Sequence, residues 1–378
     1  MLNLDELREK IDGINEQIVD LFCQRMDLTT KVAQYKIENN LPVYHPKREQ
    51  EVIDKVSQKA KDEYKTHCRM LFTTIMDMSK VAQEQTIATA GQKHRLYTDV
   101  KEALDGNKNI KSCSQVALCG IEGAYADQAS KVMIENPKNM YCDSFDEVFD
   151  KVKNGEAEYG VLPIENSTAG SIHAVYDLIA KHKLYIVKDY KMPISHCLLA
   201  NKGVTFDKIT DVYSHEQAIS QCSEFLKQNP QINVHRYNNT ATSAKLVAEK
   251  GGTIGAIASE CCAELYGLDI IKRDVKNAQE NYTRFILISK QLIIQNDANK
   301  VSLVLALPHV SGSLNRLISR FSANELNMTK IESRPIPNTD FEFRFYFDFE
   351  GDVKNERVLS LLCALQNELE NFQFLGNY

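Results

Sequence analysis

The sequence of 378 residues has no tryptophan, only 9 prolines and 16 glycines, and no cysteine pair with CxxC spacing. So little proline and glycine excludes a collagen-like or low-complexity chain. The cysteine spacing excludes a common zinc clamp and gives no sign of a disulfide framework. We therefore predict that the 10 cysteines are reduced thiols, most of them buried.

A long apolar run is absent as well. The opening residues MLNLDELREK place acids inside an amphipathic pattern, which predicts neither a signal peptide nor a membrane anchor and favours a cytoplasmic protein. The net charge is -6, and no basic stripe is present, so we expect no nucleic-acid partner. A hydrophobic fraction of 43% is ordinary for packed cores, and the length predicts two to four folding units.

The N-terminal region has the periodicity of one long helix over residues 4–36. Its apolar side chains recur in steps of three and four: Leu4, Leu7, Ile11, Ile14, Ile18, Leu21, Leu28, Val32 and Tyr35. Prolines 42 and 46 predict the end of this helix, and two further helical patterns cover 47–63 and 66–87. The sequence thus predicts an all-α domain over 1–90, followed by a polar linker, 91–112, with one short helix.

Two other regions follow the linker. Residues 113–290 alternate β-rich runs such as QVALCG, EYGVLPI and YTRFILIS with helical patterns, which predicts an α/β unit. Residues 299–378 have the order strand, helix, strand, strand, helix, strand, typical of an α+β ferredoxin-like module. In its FEFRFYFDFE segment, phenylalanines at 341, 343, 345, 347 and 349 predict a half-buried antiparallel strand with the rings on one face and Glu342, Arg344 and Asp348 on the other.

Polar side chains interrupt the apolar faces of the N-terminal helices. Arg25 takes a stripe position, and Lys36 lies about 16 Å further along and about 20° around the helix, so both can reach one dianion. Arg8 precedes Arg25 by about 25 Å and could serve that site only from a second chain in an antiparallel dimer. Ser79 and Gln83, at i and i+4, place hydrogen-bonding groups on one face. The alternative is that Arg25 forms an interface ion pair.

The motifs LREKID, Gln24-Arg25, Tyr35-Lys36, PKRE and MSKVAQ resemble the all-helical chorismate mutases. The resemblance implies a pericyclic rearrangement of chorismate to prephenate. It implies that Arg8 of a second protomer, Arg25 and Arg48 hold the carboxylates and the hydroxyl side of chorismate. Lys36 and Gln83 would contact the ether oxygen as catalytic residues. Glu49 and Ser79 would orient the ring hydroxyl. His45 replaces the acidic residue expected there, so a weakened mutase is an alternative.

In the α/β region, three hydroxyl-rich turns precede helical patterns. We predict that each begins a helix whose free amides bind anions: Asn166-Ser167-Thr168 before a helix near residues 170 and 171, Ser214-His215, and Thr240 with Thr242 and Ser243. Three such turns suggest a cleft between two lobes. The alternative is that they are plain helix N-caps.

These turns, together with GIEGAYADQAS and NAQENYTRFILIS, resemble prephenate dehydratase from Gln115 to Lys290. The resemblance implies two α/β subdomains that flank a cleft, where prephenate loses carbon dioxide and water to give phenylpyruvate. Thr283 of the Thr283-Arg284-Phe285 motif would supply or relay the proton. The substrate's carboxylates and keto group would contact Asn166, Ser167, Thr168, Ser214, Gln217, Thr240 and Ser243.

The segments PHVSGSLNRLISRF and ESRP resemble an ACT regulatory domain. The resemblance implies that phenylalanine binds at a dimer interface and inhibits the enzyme, through residues Gly312, Ser313, Leu314, Glu332, Ser333, Arg334 and Pro335. The alternatives are a module for dimerisation alone or a non-catalytic amino-acid sensor. Histidines do not cluster with other metal ligands, and GIEGAYA lacks a full GxGxxG loop, so we expect neither metal nor cofactor. We expect a homodimer or a tetramer.

Overall fold

The computed structural model describes residues 3–39, 41, 45–89, 95–106, 109–278, 280–336, 342–369 and 371–378. Its contacts divide the chain into two compact units. One contains residues 1–105 together with 298–377, and the other spans 106–297. The helical N-terminal region and the C-terminal module, residues 298–377, therefore share a unit although the α/β region separates them in sequence.

Four helices make up the N-terminal part of the first unit: α1 Leu4–Glu38, α2 Pro46–Ser57, α3 Lys65–Thr89 and α4 Arg95–Asp105. The first begins where the Asn3 side chain accepts a hydrogen bond from the Asp5 amide, and Asp5 and Glu6 favour the positive end of its dipole. The three predicted long helices are confirmed. Pro42 lies outside the described residues. Helix α4 lies in the segment predicted as a linker and packs on the C-terminal module.

The apolar stripe of α1 is exposed. Ile18, Leu21 and Leu28 keep 58%, 63% and 60% of their surface accessible, whereas Thr29 and Ala33 are the buried residues of the helix. The face that contacts α3 is thus not the face that carries the long repeat. The stripe of α1 has no covering partner among the residues that the structure describes within this chain.

The C-terminal module forms a four-stranded antiparallel sheet with two helices. Its elements are β12 Lys300–Ala306, α12 Ser313–Ala323, β13 Met328–Pro335, β14 Phe343–Glu350, α13 Glu356–Glu368 and β15 Gln373–Asn377. The strand order β13-β14-β12-β15 is the ferredoxin-like order expected from the sequence.

Strand β14 differs from the expected alternation. Tyr346 and Asp348 are as buried as Phe347 and Phe349, while Phe343 is 38% exposed. The prediction of a polar, solvated second face is wrong because the Asp348 carboxylate lies inside and accepts a 2.6 Å hydrogen bond from Ser302 Oγ. Phe341 lies outside the described residues.

The second unit contains two sheets. The elements of its first part are β1 Gln115–Cys119, α5 Tyr125–Met133, β2 Lys138–Cys142, α6 Phe145–Asn154, β3 Tyr159–Asn166, β4 Gly170–Ser171, α7 His173–His182 and β5 Tyr185–Pro193. Those of its second part are β6 Cys197–Ala200, β7 Asp211–Ser214, α8 Glu216–Gln221, α9 Ser223–Lys227, β8 Asn233–Arg236, α10 Thr240–Lys250, β9 Ile254–Ala258, α11 Glu260–Tyr266 and β10 Asp269–Lys272.

Strand β11, Tyr282–Ser289, returns to the first sheet and lies antiparallel between β3 and β5. The first sheet has the order β2-β1-β3-β11-β5, and the second has the order β10-β6-β9-β7-β8. Two mixed sheets with separate buried clusters agree with the expected α/β unit of two lobes. The return of β11 places Thr283 in the first lobe, directly beside the end of β3.

One predicted helix start is wrong. Residues 170 and 171 form the short strand β4, which pairs back onto β3, and α7 begins only at His173. Asn166 causes this turn because its Oδ1 accepts from the amides of Thr168 and Ala169 at 3.1 and 3.0 Å. The side chain closes an Asx-type turn and leaves no helix N-terminus there to bind an anion.

Candidate active sites

Two pairs of polar side chains bridge α1 and α3 and define the helical site. Arg25 Nη1 donates to Ser79 Oγ, and Lys36 Nζ donates to Gln83 Oε1 at 2.9 Å. Ser79 and Gln83 are 3% and 8% exposed, so surrounding atoms restrict both side chains. The structure thus brings together four of the predicted residues. Burial lowers the pKa of Arg25 and that of Lys36, which indicates partly desolvated cations.

Three other predicted residues of this region point elsewhere within the chain. Arg8 is exposed and lies 3.4 Å from Asp5, and Arg48 is exposed and lies 3.3 Å from Glu51. Glu49 is buried and forms an ion pair with Lys80 at 3.3 Å. Arg8 and Arg48 thus pair with neighbours three residues away on their own helices, whereas Glu49 pairs with a residue of α3 that helical spacing does not show.

His45, the residue that departs from the mutase pattern, has a local structural role. Its Nδ1 accepts from the Arg48 amide at 3.4 Å and caps the first turn of α2. An aspartate or asparagine in this position caps a helix in the same way. The helix start therefore tolerates the change.

In the second unit, a hydrogen-bonded group of side chains surrounds Thr283 and is called the threonine cluster. Asn166 Nδ2 donates to Thr283 Oγ1 at 2.9 Å and to Asn281 Oδ1 at 2.9 Å. Thr168 Oγ1 donates to Asn166 Oδ1 at 2.7 Å. Gln221 Nε2 donates to Thr168 Oγ1 at 2.9 Å, and Asn281 Nδ2 donates to Gln221 Oε1 at 2.9 Å. The cluster connects the end of β3, strand β11 and helix α8.

Gln221 and Asn281 were missed by the sequence predictions. Asn281 lies two residues before Thr283 and therefore on the same face of an extended segment. Gln221 lies one helical turn after Gln217, on the same face of α8. Both spacings were readable in the sequence. Residue type alone did not separate these amides from ordinary surface asparagine and glutamine.

The remaining predicted cleft residues divide into three groups. Ser167 belongs to the cluster, since its Oγ accepts from the Tyr282 amide at 2.9 Å. Ser214 and Ser243 are fully buried, and their hydroxyls donate to the carbonyls of Ile257 and Asn239. Gln217 is exposed at the start of α8, and Thr240 begins α10 after the capping residue Asn239. The helix starts predicted at Ser214-His215 and Thr240 are confirmed.

The two residues after Thr283 behave differently from it. Phe285 is 3% exposed in the core of the first sheet, so it supports the strand instead of lining a cleft. The Arg284 guanidinium lies 3.8 Å from both Glu165 and Asp189. Since side chains alternate along a strand, Thr283 and Arg284 face opposite sides of the sheet. The structure therefore gives Arg284 a different environment from the threonine cluster.

A cavity of about 400 Å³ lies at the start of α12. Gly312, Ser313 and Leu314 line it, together with Phe343 and Phe345 of β14. Gly312 has φ +84°, a left-handed conformation that favours glycine at this helix start. The predicted segment 332–335 does not line the cavity but lies on β13, where Ser333 and Pro335 pair with Phe345 and Phe343.

Within the described ranges, no group of three or more metal-ligating side chains could hold an ion. No helix in those ranges is both long and apolar enough to cross a membrane. All 10 cysteines are free thiols, and five of them are buried, so the prediction that most are buried is only half right.

Comparisons with known proteins agree with the two sites. Residues 7–84 match the family model for chorismate mutase type II, and residues 116–292 match that for prephenate dehydratase. A bifunctional chorismate mutase/prephenate dehydratase from Enterobacter agglomerans is 30% identical over 381 residues, which cover 98% of this chain and 95% of that protein.

Solved structures resemble 70% of the chain. The prephenate dehydratase from Arthrobacter aurescens, in complex with L-Phe, has a TM-score of 0.64 at 27% identity over 89% of its chain. GqqA, described as a novel type of quorum quenching acylase, has a TM-score of 0.63 at 28% identity over 97% of its chain.

Together, the helical site, the threonine cluster and these matches define an enzyme with one chorismate mutase domain and one prephenate dehydratase domain. The chain belongs to the family of bifunctional chorismate mutase/prephenate dehydratases.

Proposed function

We propose that the helical site rearranges chorismate to prephenate and that the threonine cluster dehydrates and decarboxylates prephenate to phenylpyruvate, two consecutive steps toward phenylalanine. The observation that carries the proposal is the presence of both constellations in one chain: two cations beside two neutral polar side chains between α1 and α3, and a buried threonine held by an asparagine at the end of β3. A cytoplasmic location stays a prediction.

The mutase reaction requires no proton transfer. Breaking the ether bond develops negative charge on its oxygen, and preorganised donors stabilise that charge in the transition state. The contact between Lys36 and Gln83 holds both head groups side by side before substrate arrives. Arg25, already in contact with Ser79, is placed to bind a carboxylate through its planar guanidinium.

The dehydratase reaction requires a proton for the departing hydroxyl. The ring carboxylate leaves as carbon dioxide, its electron pair enters the ring, and the hydroxyl leaves as water once it is protonated. Thr283 Oγ1 accepts a hydrogen bond from Asn166, which makes its own O–H a better donor. Because a threonine hydroxyl is a weak acid, the amide groups that position it must contribute much of the rate.

The exposed stripe of α1 supports a homodimer. A standard interface buries about 800 Å² per partner, which the nine large side chains of the stripe can largely provide. In an antiparallel pair of such helices, Arg8 of the second chain would lie near Arg25 and complete the helical site. The dimer interface would bury the exposed side chains of the stripe. Among them is Leu21, which is 63% exposed within one chain.

The cavity at the start of α12 supports phenylalanine as an effector and the C-terminal module as an ACT domain. Its volume suits a small amino acid, the Leu314 amide lies in the first turn of a helix whose N-terminus favours a carboxylate, and two phenylalanine rings offer an apolar wall. The relative from Arthrobacter aurescens contains L-Phe, which agrees with this assignment. We expect occupancy to reduce activity, with a coupling of about 1–3 kcal/mol.

One assay tests both activities. Purified chain given chorismate should form prephenate and then phenylpyruvate without an added cofactor, and phenylalanine should slow the sequence. Turnover of prephenate without turnover of chorismate would select the weakened-mutase alternative. Binding of phenylalanine with no turnover of either substrate would select the sensor alternative.

A further inference from the structure

A group of charged side chains, most of them buried, is here called the charge cluster and lies on a different face of α3 from the helical site. It contains Asp77, Lys80 and Glu84 of α3, Glu49 of α2, Arg316 and Arg320 of α12, and Glu368 of α13. Successive residues of a helix differ by about 100° in direction. Glu84 therefore follows Gln83 directly in sequence but points toward the C-terminal module, and Lys80, which follows Ser79, points toward α2.

Arg320 is the centre of this cluster. Its Nη2 donates to both carboxylate oxygens of Glu84, at 2.9 and 3.1 Å, and its Nη1 donates to Glu368 at 2.8 Å. The Arg320 and Glu84 side chains are 4% and 8% exposed. Burial by itself would lower the pKa of Arg320. The carboxylates of Glu84 and Glu368 outweigh burial, so the pKa of Arg320 is raised. One guanidinium thus joins α3 to both helices of the C-terminal module.

The rest of the cluster extends this link to α2. Lys80 lies 2.8 Å from Asp77 and 3.3 Å from Glu49, and Arg316 lies 3.9 Å from Glu49. Among the described residues of the cluster, three cations face four carboxylates. Burial raises the pKa of Glu84 to about 8, and the neighbouring Glu368 adds to this effect against the attraction of Arg320.

Stability alone is a weak reason for such a cluster. Removing several charges from water is costly, and well-packed apolar side chains of similar volume often stabilise a fold at least as well. Directional ion pairs instead specify the position of one helix against another. Small displacements matter at the helical site, because a misplacement of about 1 Å of a positioned donor can cost about a hundredfold in rate.

We propose that Arg320 is a positioning residue for the chorismate mutase reaction, through which the C-terminal module holds α3 so that Ser79 and Gln83 face Arg25 and Lys36. The inference rests on the proposed function of the helical site. Arg320 does not contact the site itself and acts through Glu84, which adjoins Gln83. The mutase therefore depends on a segment that follows it by more than two hundred residues in the chain.

The test uses the full chain with Arg320→Met, which keeps an unbranched side chain of similar length but removes the charge. We expect kcat for chorismate to fall about tenfold with KM changed less than twofold, because donors that act in the transition state are misplaced. Turnover of added prephenate should not change. The matched control is Arg357→Met, which removes an exposed arginine from α13 of the same module and should leave both activities unchanged.

A second variant covers the case in which Arg320→Met unfolds the first unit. Arg320→Met/Glu84→Gln removes the link without leaving the Glu84 carboxylate unpaired, and circular dichroism reports its helix content. A folded double variant with the same tenfold loss in mutase kcat supports the inference. A folded double variant with wild-type kcat overturns it, as does a folded single variant with wild-type kcat. If the wild-type chain itself does not convert chorismate, the proposed function of the helical site has failed instead.

Discussion

The two proposed active sites would bind a small dicarboxylate with different chemical groups. The helical site uses the cations Arg25 and Lys36, each held by a neutral side chain of the opposite helix. The threonine cluster uses neutral amides and hydroxyls at the end of β3, connected by hydrogen bonds of 2.7 to 2.9 Å. In the proposed reactions, the first would stabilise developing negative charge, whereas the second would supply a proton.

The two sites also differ in which chains contribute their residues. The threonine cluster is formed within one unit of one chain, by residues that lie more than one hundred positions apart. The helical site contains four of its predicted residues in one chain, while Arg8 is remote and the α1 stripe is exposed. The proposed homodimer would therefore complete the helical site, whereas the threonine cluster is formed without it.

The largest expected effect is that of Thr283→Ala. Loss of the proton donor should reduce dehydratase kcat by about a thousandfold, within the range known for general acids, and leave mutase kcat unchanged. Thr283→Ser keeps the hydroxyl and should retain most of the activity. Assays with chorismate and with prephenate as separate substrates measure both. A normal dehydratase rate in Thr283→Ala would remove the assigned role.

The reverse selectivity is expected of Lys36→Met. Removing a charged donor from the ether oxygen should lower mutase kcat about a hundredfold and spare the dehydratase. Lys31→Met, an exposed change on the same helix, is the control. Because burial lowers the pKa of Lys36, the wild-type mutase rate should fall as pH rises through a value below 10.5, where the ammonium loses its proton. Loss of dehydratase activity in Lys36→Met would contradict the assignment of separate sites to the two reactions.

The dimer hypothesis predicts a smaller and indirect effect. Leu21→Glu places a charge in the exposed stripe and should convert the chain to a monomer with mutase activity reduced about tenfold or more, since Arg8 of the partner no longer reaches the site. Thr30→Glu adds the same charge away from the stripe and should change neither the oligomeric state nor the mutase activity. Analytical ultracentrifugation measures the mass. An active monomer would show that one chain completes the site.

A separate effect concerns stability and pH instead of turnover. Burial raises the pKa of Glu84 from its usual 4.5 to about 8, so its contribution to the free energy of unfolding is present below pH 4.5 and is lost as pH rises toward 8. Glu84→Gln cannot ionise and should lack this part of the pH dependence, so its stability relative to wild type should increase over that interval. Urea unfolding at several pH values measures it, and parallel curves for the two proteins would contradict the assignment.

Much of the fold was readable because its patterns are local. The three long helices follow from apolar spacing, and the predicted strands at 115–120, 158–164 and 282–289 follow from β-branched runs. The helix start predicted near residues 170 and 171 was wrong for a local reason that periodicity does not show. The Asn166 side chain closes a turn there and prevents a helix start. The buried face of β14 was missed because Asp348 finds a partner, Ser302, far away in sequence.

By itself, the sequence determined the element types, the long stripe of α1, the motifs of both reactions and the cations of the helical site, because periodicity and residue chemistry act over a few positions. Only the tertiary structure decided which polar groups meet. It brought Asn281 and Gln221 to Thr283, and it turned Glu49 and Glu84 toward the C-terminal module. The physical reason is that a buried polar group must find its hydrogen-bond or charge partner in three dimensions, and spacing along the chain carries no record of that partner.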